Sequence, residues 1–104
     1  MSQTGVLRFY YDDERTHLHY ECFEVDGKRE GDFRLYNEAG ILMLHAYFVN
    51  DMIEGELSEY YENGTLRMVS QYIHHKREGL CKSYCENGAL DEVYHYANDV
   101  KIGE

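Results

Sequence analysis

Glycine returns every 24 residues along most of this chain, at Gly31, Gly55, Gly79 and Gly103. Three more columns keep that spacing: Tyr36, Tyr60 and Tyr84; Gly40, Gly64 and Gly88; Leu42, Leu66 and Leu90. Phe48, Tyr72 and Tyr96 add an aromatic column. A fixed period of this length marks a repeat architecture, in which one supersecondary unit stacks on copies of itself. The units run over 5–30, 31–54, 55–78 and 79–102, within a single domain covering 1–104. The first unit is two residues longer, and its turn Asp12-Asp13-Glu14-Arg15-Thr16 lacks glycine. Its end recovers the pattern: Lys28-Arg29-Glu30-Gly31 returns as Lys76-Arg77-Glu78-Gly79. Atypical end units are expected where one side meets solvent.

Each unit reads as an antiparallel β-hairpin. In the third unit the first strand runs from Gly55 to Tyr61 and the second from about Thr65 to Ile73. Asn63-Gly64 and Asn87-Gly88 supply residues that accept positive φ at the turn. Leu42, Leu44, Ala46 and Phe48 share one face of a strand, and Met43, His45, Tyr47 and Val49 the other. Being apolar on both faces, the unit 31–54 is expected to be the most buried. Polar connectors follow each second strand: Asn50-Asp51-Met52, His74-His75-Lys76 and Asn98-Asp99-Val100. No 3.6-residue period appears between the turns, which excludes helix. The strand-opening glycines are expected to make room for a ring from a neighbouring strand, supplied by the Tyr36, Tyr60 and Tyr84 column. On that reading Gly55→Val would overpack the sheet.

The pattern Gly-x-x-x-x-Tyr-Tyr-x-Asn-Gly-x-Leu, read from Gly55 and repeated nearly every 24 residues, resembles the MORN repeat, in particular its variant form. The resemblance runs from about Gly5 to Gly103 and is strongest over 55–96. It implies an all-β fold: a single-layer antiparallel sheet of consecutive repeated hairpins. It also implies a scaffold or protein-binding surface and, in some members, a lipid-associated module; other variant repeats occur in proteins labelled antitoxins. Glu30 and Glu54 depart from the His or Lys more usual before the glycine.

Twenty acidic residues oppose ten basic ones, for a formal charge of −10. A field of that sign repels phosphate backbones and anionic headgroups, which argues against nucleic acid and membrane as partners. Met1-Ser2-Gln3-Thr4 is polar, without the apolar core of a signal peptide. Three cysteines (Cys22, Cys81 and Cys85) in no framework spacing point to a reducing, cytoplasmic setting. Cys81 and Cys85 would lie roughly 13 Å apart on an extended strand, too far to bridge.

No catalytic, metal or cofactor site is expected. His17, His19 and Cys22 lack ligand-pair spacing, and His74-His75 falls in a connector. The recurring Glu62 and Glu86 come with the turn, and Asp12-Asp13-Glu14 lacks the alternating spacing of a calcium loop. What remains is aromatic: eleven tyrosines in 104 residues. Tyr10, Tyr11, Tyr47, Tyr61 and Tyr94 lie outside the core columns and form the candidate interaction surface, because tyrosine offers large area with a polar tip. The expected function is a non-enzymatic scaffold for a protein partner, with self-association into a homodimer through the terminal units, whose strand edges are open. A membrane-surface module and an antitoxin-like regulator are the alternatives.

Overall fold

A computed structural model describes residues 4–103. Met1-Ser2-Gln3 and Glu104 lie outside the described residues, so the reading of the polar start finds no counterpart here. Among the described residues eleven strands form one open antiparallel sheet. They are β1 (Thr4–Tyr10), β2 (Leu18–Val25), β3 (Lys28–Tyr36), β4 (Leu42–Val49), β5 (Met52–Ile53), β6 (Gly55–Tyr60), β7 (Leu66–Ile73), β8 (Lys76–Arg77), β9 (Gly79–Tyr84), β10 (Leu90–Ala97) and β11 (Val100–Gly103). The order is β1-β2-β3-β4-β6-β7-β9-β10-β11, with β5 on β4 and β8 on β7. All of these strands lie in one sheet, and extents of 45 × 33 × 14 Å make it a thin slab.

Two kinds of turn alternate. The loops at 37–41, 61–65 and 85–89 are three-residue hairpin loops with a glycine bulge. In the middle one, Tyr61 N–H donates to Thr65 O (2.8 Å) and Gly64 N–H to Tyr61 O (2.9 Å). Only Gly64 has positive φ, at 88°. Asn63 does not share that conformation, as the Asn-Gly pair implied. Its Oδ1 accepts the Thr65 N–H at 2.9 Å instead, an Asx turn. The connectors hold the true two-residue turns. Asn50-Asp51, His74-His75 and Asn98-Asp99 have positive φ at both residues (48–71°), as does Asp26-Gly27. That is the type I′ conformation, whose twist matches a hairpin's.

The 24-residue glycines serve a different purpose from close packing. Across from β5, Phe48 pairs with Ile53 and Glu54 N–H donates to Tyr47 O; across from β6, His45 pairs with Ser58. Ala46 alone therefore spans Gly55, Glu56 and Leu57. Ser70 likewise spans Gly79, Leu80 and Cys81, between the Gln71–Glu78 bond and the Val69–Lys82 pair. Each glycine opens a bulge, and each has strongly positive φ: 89° at Gly31, 81° at Gly55 and 97° at Gly79. A Cβ added at Gly55 would meet nothing within 4 Å. The overpacking expectation is therefore wrong: glycine is required by backbone conformation. The aromatic residue directly opposite is also a different one. Gly31, Gly55 and Gly79 pair with Phe48, Tyr72 and Tyr96. Tyr36, Tyr60 and Tyr84 sit at the other end of the strand, opposite Leu42, Leu66 and Leu90, which explains why those two columns recur together.

Continuous cross-strand rows organise the sheet. One runs Phe9–Tyr20–Leu35–Leu44–Glu59–Met68–Ser83–Glu92, and the next runs Arg8–Glu21–Arg34–His45–Ser58–Val69–Lys82–Val93. Alternation puts the first on one face and the second on the other. The first face carries the core: Ala46, Phe48 and Leu57, with Phe33, Leu44, Ile53 and Tyr72 packed around them. Unit 31–54 does centre that core, but only through one face; Tyr47 and Val49 on the other are exposed. Cys22 and Cys81 are buried on the core face, at 3% and 2% exposure. Rings extend that face toward β1: Phe9 stacks on Tyr20 (4.4 Å), Tyr20 on Phe33 (5.5 Å), and Phe33 meets Phe48 edge-on (5.8 Å). Arg29 lies over Phe33 at 4.9 Å and Arg77 over Tyr96 at 4.4 Å, so cations help cover a core with no second layer.

Candidate interaction surface

The joints between units decide which residues are free for a partner. At each joint a type I′ turn stacks on the preceding one. Asp51 N–H donates to Arg29 O, His75 N–H to Ile53 O and Asp99 N–H to Arg77 O, each at 2.9 Å. A carboxylate takes the other turn amide. Glu30 Oε1 accepts Asn50 N–H (2.7 Å), Glu54 Oε1 accepts His74 N–H (2.7 Å) and Glu78 Oε1 accepts Asn98 N–H (2.6 Å). The turn's second side chain answers back. Asp51 Oδ1 accepts Arg29 N–H (3.2 Å), His75 Nδ1 accepts Ile53 N–H (3.2 Å) and Asp99 Oδ1 accepts Arg77 N–H (3.3 Å). Accepting at Nδ1 requires His75 to carry its proton on Nε2. Glu30, Glu54 and Glu78 stand at 24-residue spacing in the sequence, the first two as departures from the motif. They are acceptors that join one unit to the next.

Two of the five candidate tyrosines belong to these joints. Tyr61 O–H donates to Tyr84 O at 2.6 Å, and Tyr11 O–H donates to Tyr36 O at 2.8 Å. Tyr11 also packs on His19, ring centres 4.2 Å apart. Tyr10 is half-buried opposite Leu18. Tyr94 is half-buried under Lys101 Nζ, 4.2 Å from its ring centre. Tyr47 stands in solvent on the face opposite the core, at 47% exposure; Tyr11, its hydroxyl bonded to Tyr36 O, is 42% exposed. Val6, Val49, Ile73 and Leu80 are exposed on the same face by strand alternation. The structure does not bring the five tyrosines together.

Tyr47 borders a groove of about 470 Å³ on that outer face, over β1–β4. Val6 and Phe23 line it with Arg8, Glu21 and Arg34, consecutive members of the outer row. Arg8 Nε bonds Glu21 Oε2 at 3.2 Å, and His45 Nε2 lies 2.8 Å from Asp32 Oδ1. The groove is thus an amphipathic strip with charges of both signs, shallow rather than enclosed.

The titratable groups do structural work. Asp12 accepts hydrogen bonds from the Thr16 side chain and from the N–H groups of Thr16 and His17; the Thr16 hydroxyl foremost, these hold its carboxyl down at about 2. The Arg77 side chain, 3.0 Å from Asp99 Oδ1, holds that carboxyl below the usual carboxylate range. Burial pushes the Cys22 thiol up, away from the thiolate a nucleophile needs. Cys22, Cys81 and Cys85 are all unpaired. Among the described residues no group of three His, Cys, Asp or Glu side chains is placed to hold a metal, and no helix is long and apolar enough to cross a membrane.

An open sheet of hairpins joined turn on turn, with one core face and one exposed face, defines a β-hairpin repeat protein. Its third unit is identifiable more closely: residues 53–74 match the family model of the MORN repeat variant. The span opens just before the Gly55 bulge and closes in the His74-His75 turn, so the match takes in the β6–β7 hairpin of the third unit. No curated protein and no solved structure matches the chain. Repeats of this type are associated with scaffolds for protein and membrane interaction.

Proposed function

We propose that the chain is a non-enzymatic scaffold that binds a protein partner along the outer face of its sheet. The observation that carries this is Tyr47, exposed beside the groove while Tyr11 and Tyr61 are bonded into the joints. A tyrosine next to arginines and flanking apolar residues is the side-chain set that dominates binding energy at protein interfaces. The alternating charges of Arg8, Glu21 and Arg34 would set orientation more than strength. The formal charge of −10 favours a protein over an anionic lipid surface.

The test is affinity capture from native cell extract with the intact chain, Tyr47→Ala and Arg34→Glu, each first checked for its folded circular dichroism spectrum. A partner held by the intact chain and lost from both variants supports the reading. A partner held equally by all three removes the outer face. Flotation with anionic vesicles separates the lipid alternative, and binding there would overturn the choice of a protein partner.

A further inference from the structure

We propose that a second copy of this chain pairs head to tail with the first, its β1 edge along the open stretch of β10. The two ends are the missing halves of a joint the sheet already makes twice. β4 receives β6 at Leu44–Glu59 and His45–Ser58, and β7 receives β9 at Met68–Ser83 and Val69–Lys82. β10 is the third strand in that series. Its Leu90–Tyr94 stretch pairs with β9 on one side, while β11 covers only His95–Ala97 on the other. No strand among the described residues pairs with the outer edge of β1. Continuing both rows by one strand sets Phe9 of the second copy opposite Glu92 and Arg8 of the second copy opposite Val93. Thr4 and Gly5 of the second copy then fall where Ile102 and Gly103 lie, so the end of β11 leaves β10 when the copies pair.

Exposure and charge agree with that register. Inside the sheet the core-face positions Cys22, Ala46, Leu57 and Cys81 are almost fully buried, whereas Leu7, on the core face of the end strand opposite Cys22, is 40% exposed. Phe9 and Leu90 are exposed too. Arg8 is the single charged residue of β1, and Asp91-Glu92 put two carboxylates on the open part of β10. Two β10 edges brought together would oppose acid to acid; β1 on β10 sets a cation beside them. This joint lacks the side-chain links of the internal ones. Ile102 stands where Glu30, Glu54 and Glu78 accept a turn amide, and Cys85 where Tyr61 bonds the next unit. The pairing is accordingly reversible, resting on backbone bonds and row packing. It is heterologous, so it grows an open chain instead of closing as a dimer. This geometry is an alternative to the homodimer expected from sequence.

The experiment is directed cross-linking in a Cys85→Ser background, where the remaining Cys22 and Cys81 are buried. Chains carrying Arg8→Cys and chains carrying Val93→Cys are oxidised separately and mixed. Cross-strand partners lie within disulfide reach. The expected result is covalent dimer in the mixture and little in either alone, with a sedimentation mass in the unmodified protein that climbs past dimer as concentration rises. Asp91→Lys with Glu92→Lys, remote from the Tyr47 groove, should shift that rise to higher concentration. Cross-links within the Arg8→Cys sample alone, none in the mixture, or a mass that stops at dimer would each overturn the proposal. Partner capture through Tyr47 is read separately, so either reading can fail without the other.

Discussion

Replacing Glu54 tests the joint between units. Glu54 Oε1 accepts the His74 N–H at 2.7 Å, and its side chain is 24% exposed. A hydrogen bond to an ionised group contributes about 1.5–3 kcal/mol when well shielded. Here water competes for both partners, since His74 lies in an exposed turn, so Glu54→Ala should cost about 1–2 kcal/mol. For a domain of this size that lowers the melting temperature by roughly 4–16 °C. Glu54→Gln keeps an oxygen acceptor and loses only the charge, so it should cost about half as much. Glu62, at a loop tip, is the control: Glu62→Ala should leave stability unchanged. Urea unfolding followed by circular dichroism reads all three. Stabilities of Glu54→Ala and Glu54→Gln equal to wild type would show that the carboxylate does not hold the turn.

Gly55→Ala should cost about 1–2 kcal/mol, because φ is 81° there even though the added methyl meets nothing within 4 Å; an unchanged melting temperature would refute the backbone explanation. Tyr61→Phe removes the donor to Tyr84 O and should cost about 1 kcal/mol in the same urea assay, with no change if the hydroxyl bonds water instead. Asp12 should titrate at about 2 in the folded chain against 3.8 for the free side chain. Because the folded value is the lower one, its stabilisation is complete above 3.8 and is lost as pH falls through about 2. Carboxyl-carbon NMR reads the midpoint directly, and a value near 3.8 would contradict the Thr16 bond.

Much of the fold was legible because repetition exposes it. The Tyr and Leu columns mark a cross-strand pair, Tyr60 with Leu66, and Gly64 marks the bulge of the loop between them. The fixed period located the hairpins that turn at Gly40, Gly64 and Gly88, while the tighter turns at Asn50-Asp51, His74-His75 and Asn98-Asp99 read only as polar connectors. Mechanism was less legible. Glycine at 55 is the same letter whether the cause is a crowding ring or a positive φ, and only the register of β4 against β5 and β6 separates them. His74-His75 carries no composition cue for a type I′ turn, since histidine seldom leads there; the backbone conformation is imposed by the same stacking that Asn50-Asp51 and Asn98-Asp99 make. The interaction surface was least legible. Tyr11 and Tyr61 look as available as Tyr47 in sequence, but their hydroxyls reach a carbonyl in the next unit 25 and 23 residues away. Which residue is free depends on contacts between units, and spacing within one unit does not encode them.

The turn amides test the stacked-joint architecture most directly. In an isolated two-residue hairpin the two turn N–H groups face solvent and exchange quickly. Here Asn50, His74 and Asn98 donate to glutamates, and Asp51, His75 and Asp99 donate to carbonyls of the preceding unit. Residue-resolved amide hydrogen exchange should find all six protected, with His74 losing protection in Glu54→Ala. Six turn amides that exchange at the rate of the free peptide would contradict the joints, and with them the array built on those joints.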